Sequence, residues 1–238
     1  MAAMVHDCGA FSVQGRLRPL NFEIKQSESR TLTKHAETGY LLLKKFRPFA
    51  LVAEIVRYHH QPWPATGEQV PVRIPEGSYI LHLADRLDIL FRKCSRGNIL
   101  INKDQVLEEI TRNIGIMFKP ERVKVLAKIS CKESFWLDIV NMARGNALGP
   151  YLGMGGEKLD CDSVLEMTEV FSYIIDFRSR FTASHSSMVS TLSGALARLA
   201  GFSEEECLMM KIAGNLHDLG KLAIPLEILD KPGKLTRD

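Results

Sequence analysis

The strongest constraint on this chain is an internal repeat. Ala2-Ala3-Met4-Val5-His6-Asp7-Cys8-Gly9 returns as Ala213-Gly214-Asn215-Leu216-His217-Asp218-Leu219-Gly220, an offset of 211 residues, so two related modules share one polypeptide. Each copy closes an apolar run on a His-Asp pair and places a glycine two residues later. An imidazole nitrogen beside a carboxylate oxygen is a donor pair for a borderline or hard divalent cation, and the second carboxylate oxygen can serve a neighbouring ion. The dipeptide alone is a weak signal; its surroundings decide its meaning.

The seven histidines are His6, His35, His59, His60, His82, His185 and His217. Helical spacing predicts that several look inward: His185 precedes the stripe Val189, Leu192, Leu196, Leu199; His35 lines up with Gly39, Leu42 and Phe46; and His217 follows Ala213 and Leu216. One inward histidine is ordinarily a hydrogen-bonded core residue, whereas several in the company of carboxylates point to metal. The run from Ile80 to Phe91 puts Asp85 in line with Leu81 and Ile89, a costly place for a carboxylate unless it is paired or ligates a cation.

Helical periodicity dominates and strand-like alternation is scarce, so the expected class is all-α. Ser203 with Glu206 forms a capping-box pattern, Gly201 closes the helix before it, and His217-Asp218 falls at a helix C-terminal end. Two further helices are expected over Lys103 to Phe118 and Pro120 to Met142, the second carrying Phe135 and Trp136 as packing residues. Gly145 to Gly156, with five glycines and Pro150, reads as a flexible linker, and it lacks the Gly-Lys-Ser/Thr ending of a phosphate loop.

Two stretches resemble the HD-domain metal-dependent phosphohydrolases, and within them the HD-GYP class and its tandem relatives. Ile174 to Ser186, including Arg178, Phe181, Thr182 and His185, is similar to the helix that presents the family's first histidine ligand. His217-Asp218-Leu219-Gly220-Lys221 through Pro225, with Ile228 to Thr236 after it, resembles the family's most diagnostic run. The first module follows the later part of the same pattern through His6-Asp7, His35, His59-His60 and Asp85. It departs from the pattern twice: Ala10 stands where the second copy has Lys221, and Gln61-Pro62-Trp63-Pro64 follows the histidine doublet in place of Gly-Tyr-Pro.

The resemblance implies a helical HD-domain architecture of two related, incomplete modules, residues 1–95 and 161–238, joined by a helical connector and glycine-rich linker over 96–160. Both modules look cut relative to the family, which suits a piece of a longer tandem protein; a composite domain, with residues 174–238 completing 11–91, is the alternative, in which His6-Asp7 and His217-Asp218 would compete for one place. The implied metal ligands are His6, Asp7, His35, His59, His60 and Asp85 in the first module and His185, His217 and Asp218 in the second. Two divalent ions are implied, iron or manganese by donor type, and not a third, because Phe181 stands where some relatives carry a glutamate. The implied reaction is hydrolysis of a phosphoester, most specifically cyclic di-GMP, by a metal-activated water, with Asp218 and Lys221 catalytic and Lys221 and Thr182 binding substrate. With three ligands in its second module, the isolated chain is expected to hydrolyse weakly or not at all. The competing expectation is a non-catalytic signalling or ligand-sensing module, favoured over residues 1–91 by Ala10 and the absent Gly-Tyr-Pro.

Composition narrows the partners. A net charge of +3, with 28 acidic residues interleaved among the basic ones, argues against a nucleic acid polymer and is compatible with an anionic phosphate substrate. No apolar stretch is long enough for a bilayer and no signal segment opens the chain, so a cytoplasmic protein without membrane partners is expected, and a homodimer is left open. Five dispersed cysteines read as reduced thiols.

Overall fold

The computed structural model describes residues 1–10, 26–63, 73–94, 99–143, 158–178, 184–229 and 231–233. Among them the architecture is all-α, with one isolated β-bridge between Ile114 and Phe118. The helices are α1 (Ala2–Val5), α2 (Gln26–Leu43), α3 (Ala50–Arg57), α4 (Glu76–Cys94), α5 (Ile99–Arg112), α6 (Pro120–Ser130), α7 (Glu133–Ala143), α8 (Cys161–Arg178), α9 (His185–Leu199), α10 (Glu204–Leu216) and α11 (Leu226–Leu229). Short 3-10 turns cover Arg47–Phe49 and Leu219–Ala223.

Helices α2 and α3 pack as a pair around Leu43, Ala53 and Val56, with Val5 and Cys8 packed against them. The turn after α1 lies unusually close: a Cβ on Gly9 would come within 2.1 Å of the His35 carbonyl oxygen, so only glycine lets this turn reach α2. Arg57 fixes the pair from outside, its Nε 2.8 Å from Glu37 and its guanidinium 4.4 Å above the Tyr40 ring.

Helix α4 shares its core with the next three helices. Leu83 and Leu90 meet Val106, Ile110, Phe118, Val123, Leu126 and Trp136 in one buried cluster, so helices from residues 99–143, read as a connector, pack against α4. The two expected helices here also differ from the observed ones. The first runs from Ile99 and stops at Arg112, where Gly115 adopts φ 76°, a left-handed turn that suits glycine. The second is broken in two between Ser130 and Glu133: fully buried Trp136 donates its indole N–H to the Ser130 carbonyl at 2.8 Å, satisfying an acceptor at the helix end that α6 leaves free. Trp136 is thus a packing residue, as expected.

Helices α8, α9 and α10 form a second unit. Both sequence signals at its turn are realised. The Ser203 side chain accepts from the Glu206 N–H while Glu206 reaches back to the Ser203 N–H, and Gly201 at φ 83° closes α9 with Gly201 N–H on Arg198 O and Phe202 N–H on Ala197 O, the pairing of a Schellman motif. The apolar stripe of α9, however, does not face inward. Leu192, Leu196 and Leu199 are 55%, 64% and 85% exposed, and the buried face is Ser186, Ser190, Gly194 and Ala197. Small residues win because they let two backbones meet: a Cβ on Gly214 of α10 would lie 2.5 Å from the Ser190 Cα. The unit meets the first through α8, where Arg47 donates from its backbone N and from Nε to Glu166 at 3.0 and 2.7 Å and the Lys45 ammonium lies 3.6 Å over the Tyr173 ring. The expected linker over 145–156 lies outside the described residues, and no helix among the described residues is long and apolar enough to cross a membrane.

Candidate metal centres

Four elements converge on the first cluster. The turn ending α1 supplies His6 and Asp7, α2 supplies His35, the end of α3 supplies His59 and His60, and α4 supplies Asp85. His35 Nε2 lies 3.4 Å from His59 Nε2, 3.0 Å from His60 Nε2 and 3.4 Å from Asp7 Oδ1; His6 Nε2 lies 3.5 Å from Asp7 Oδ2 and 3.7 Å from Asp85 Oδ1. His35, His59 and His60 form one group whose donor atoms all lie within 4.8 Å of one another, and His6, Asp7 and His59 form a second. All six expected residues of the first module therefore come together.

The backbone prepares the rings for this. His6 donates Nδ1–H to the Ala3 carbonyl at 2.8 Å and His59 donates to Val56 O at 2.6 Å, which turns each Nε2 toward the cluster, as a lone pair on His59 and as a site that a cation can take from a proton on His6. Fixing one ring nitrogen to a carbonyl selects the tautomer that can ligate. Nitrogens facing each other at such distances, with His35 Nδ1 and Asp85 Oδ2 buried and without hydrogen-bond partners among the described residues, call for a positive charge between them. The titration behaviour agrees. Burial lowers His59 to about 4 and, with the neighbouring imidazoles adding to it, lowers His60 well below the usual range. Burial acts the same way on His6 but is outweighed by its hydrogen bond to Asp85 and the charge of Asp7, which lift it to about 9. The carboxylates favour positive charge at this place, and the donor set fits a divalent ion.

The second cluster is smaller. His217, at the C-terminal end of α10, donates Nδ1–H to Gly214 O at 2.8 Å, and its Nε2 meets His185 Nε2 at 3.2 Å and Asp218 Oδ2 at 3.3 Å. Lys221, in the 3-10 turn, reaches Asp218 Oδ2 at 2.6 Å. Burial opposes ionisation of Asp218, but the Lys221 bond and the adjacent histidines hold its carboxyl below the usual range. His185, His217 and Asp218 lie together but are not inward-facing as expected: the two imidazoles are 45% and 35% exposed. They sit at the open ends of α9 and α10, whose small-residue seam takes the interior. The two clusters are distinct groups of residues, so His6-Asp7 and His217-Asp218 do not compete for one place. Thr182 and Phe181 lie outside the described residues.

Three side chains that support these clusters escaped the sequence reading. Asp176, 2% exposed, accepts from the Ser186 backbone N at 3.1 Å and the Ser186 hydroxyl at 2.7 Å, anchoring the first turn of α9 beside His185; Ser184, at the N-cap itself, makes no side-chain cap. His82 donates Nδ1–H to the His59 carbonyl at 2.8 Å. Arg86, 3% exposed, stands next to Asp85. The signal for the last two was their i, i+4 spacing on the helix of Asp85.

Comparison with known proteins agrees with this geometry. Residues 1–90 match the HD domain family. The chain is 30% identical over 241 residues to the 3'3'-cGAMP-specific phosphodiesterase 1 of Vibrio cholerae, spanning 98% of this chain and 55% of that protein. Over 64 residues it is 44% identical to the cyclic di-GMP phosphodiesterase response regulator RpfG of Xanthomonas campestris, 27% of this chain and 17% of that protein. Among solved structures, a cyclic GMP-AMP specific phosphodiesterase of V. cholerae superposes with a TM-score of 0.58 at 23% identity, over 98% of this chain and 62% of that one. The chain thus spans about half the length of the first of these relatives.

Proposed function

We propose that the chain, whose residues 1–90 match the HD domain family, works as a metal-dependent phosphohydrolase whose substrate is a cyclic dinucleotide. The observation that carries the proposal is the convergence of preset imidazole lone pairs and carboxylates at two places, each built on a His-Asp pair. Divalent ions bound there, iron or manganese by donor type and two per complete site, would polarise a phosphoryl oxygen and bring the pKa of a water toward neutrality.

The chain's own residues divide the work. In the second unit Asp218 and the histidines would hold the ions, and Lys221, already on the Asp218 carboxylate, would offer a flexible ammonium to a non-bridging phosphate oxygen as charge develops. Thr182 is proposed to help hold that phosphate. In the first unit the matching position is Ala10, so this unit is read as binding metal and ligand without full catalytic capacity. Substrate choice follows the relative matched over nearly the whole chain, a 3'3'-cGAMP-specific phosphodiesterase; the cyclic di-GMP expected from sequence is the second candidate, supported by the shorter match.

The test is turnover of both cyclic dinucleotides by protein loaded with Mn(II), with linear product followed by chromatography. Conversion lost in Asp218→Ala and reduced in Lys221→Ala supports the reading. Turnover unchanged in Asp218→Ala, or binding of neither substrate by a protein shown to hold metal, overturns it.

A further inference from the structure

Helix α4 places two more polar side chains beside the first cluster. Arg86 is buried, yet no carboxylate lies within hydrogen-bond distance of its side chain among the described residues: its Nε is 3.8 Å from Asp85 Oδ2 and has no partner, and its Nη2 is 3.4 Å from His60 Nδ1. One turn earlier, His82 is 1% exposed, and its Nε2 is also without a partner. A guanidinium has five donors and no acceptor, and leaving a buried one unfilled costs several kcal/mol in round terms.

The charge balance sharpens the question. The first cluster contains two carboxylates, Asp7 and Asp85, already shared among His6, His35 and Arg86. Adding divalent cations beside a fixed guanidinium makes the pocket strongly positive, and a buried excess of that sign is stable only with an anion between the charges. The second cluster has its cation on the turn, at Lys221, three residues after Asp218. The first lacks that lysine but has a guanidinium arriving from the opposite wall.

We propose that Arg86 is an anion-binding residue of the first site, holding a phosphate oxygen of a ligand shared with the metals and so replacing, from helix α4, the cation missing at Ala10. The planar fork suits a phosphate, which it can meet through two parallel N–H groups. His82 Nε2, one helical turn away, lies on the same helix as a further polar atom for the ligand or its water. The proposal rests on the reading of the first cluster as a metal site and deepens it: the site that lacks the catalytic lysine is still built to recognise phosphate.

The test uses the full chain carrying His217→Ala, so that only the first site contributes, with Mn(II) as the metal and inorganic phosphate as the probe. Metal content is measured by elemental analysis and phosphate affinity by calorimetry and by manganese broadening of the phosphorus resonance. Arg86→Ala is expected to keep its metal and lose at least about tenfold in phosphate affinity, a loss of ~1.4 kcal/mol, while Arg86→Lys keeps part of it. Unchanged phosphate affinity in a metal-loaded Arg86→Ala protein overturns the proposal, as does loss of metal in both Arg86 variants, which would make the residue a prop for Asp85. A parent that binds no metal refutes the underlying reading instead, a separate and recognisable failure.

Discussion

Replacing Gly214 by alanine tests whether the second site is held by direct backbone contact. The added Cβ would lie 2.5 Å from Ser190 Cα, 2.7 Å from Ser190 N and 3.1 Å from Val189 C. Carbon atoms settle near 3.5 Å, so α10 must back away from α9 by about 1 Å. Overpacking of this kind costs about 1–3 kcal/mol, and the obstacle is backbone that no rotamer change can move, which favours the upper part of the range. Alanine recovers about 1 kcal/mol through helix propensity, leaving a net loss of about 1–2 kcal/mol, or a fall in melting temperature of roughly 4–16 °C for a unit of this size. Gly194→Ala is the matched control on the facing helix. Its Cβ would meet Lys211 Cγ at 2.7 Å, the stem of a flexible side chain that can swing aside, so stability should hold or rise. Urea unfolding followed by circular dichroism reads both variants. Gly214→Ala should also lower metal retention at the second site, because His217 rides on α10 and His185 opens α9. Equal stability of Gly214→Ala and the parent, or an equal loss in both variants, would refute the close-contact argument.

Three further outcomes follow. Elemental analysis should show that His59→Ala strips metal from the first site alone and His217→Ala from the second alone, because His59 belongs to both groups of the first cluster and to neither side of the second; loss of all metal in either single variant would contradict two independent clusters. Trp136→Ala should cost about 3–5 kcal/mol by emptying the α4–α7 core, and Trp136→Phe about 1–3 kcal/mol by leaving the Ser130 carbonyl unpaired, both measurable by denaturant titration. In the presence of a chelator, the His82 contribution to stability should be full above pH 6.5 and be lost as the pH drops toward 4: burial, with Arg86 adding to it, holds His82 at about 4, so the unfolded chain takes up a proton that the folded chain refuses. A flat profile over that window would show that His82 accepts its proton without unfolding.

The candidate ligand residues were legible because their chemistry is in their identity: a repeated His-Asp pair, a histidine doublet and an aspartate on an apolar helical face needed no knowledge of packing. Orientation was not legible in the same way. The α9 pattern Val189, Leu192, Leu196, Leu199 has the period of a buried stripe, yet Ser186, Ser190, Gly194 and Ala197 took the interior. Periodicity ranks residues by hydrophobicity and cannot register the gain from close backbone approach. Arg86 resembled any other charge on an amphipathic helix, since its burial depends on α3 and its histidines arriving from more than twenty residues away. The break after Ser130 likewise needed the Trp136 indole to be placed first.

The joint between the two units has a consequence for how they communicate. Its named contacts are electrostatic, Arg47 on Glu166 and Lys45 over Tyr173, and the Arg47 side chain is 72% exposed. Water and ions reach it freely, so it is a latch whose strength depends on the solvent. Going from 0.01 M to 1 M salt shortens the screening length from about 30 to about 3 Å, which would loosen the latch while leaving the apolar core within α4–α7 and the α9–α10 seam intact. A clasp of this kind can open and close without either unit unfolding, and the ionic medium sets how often it is shut.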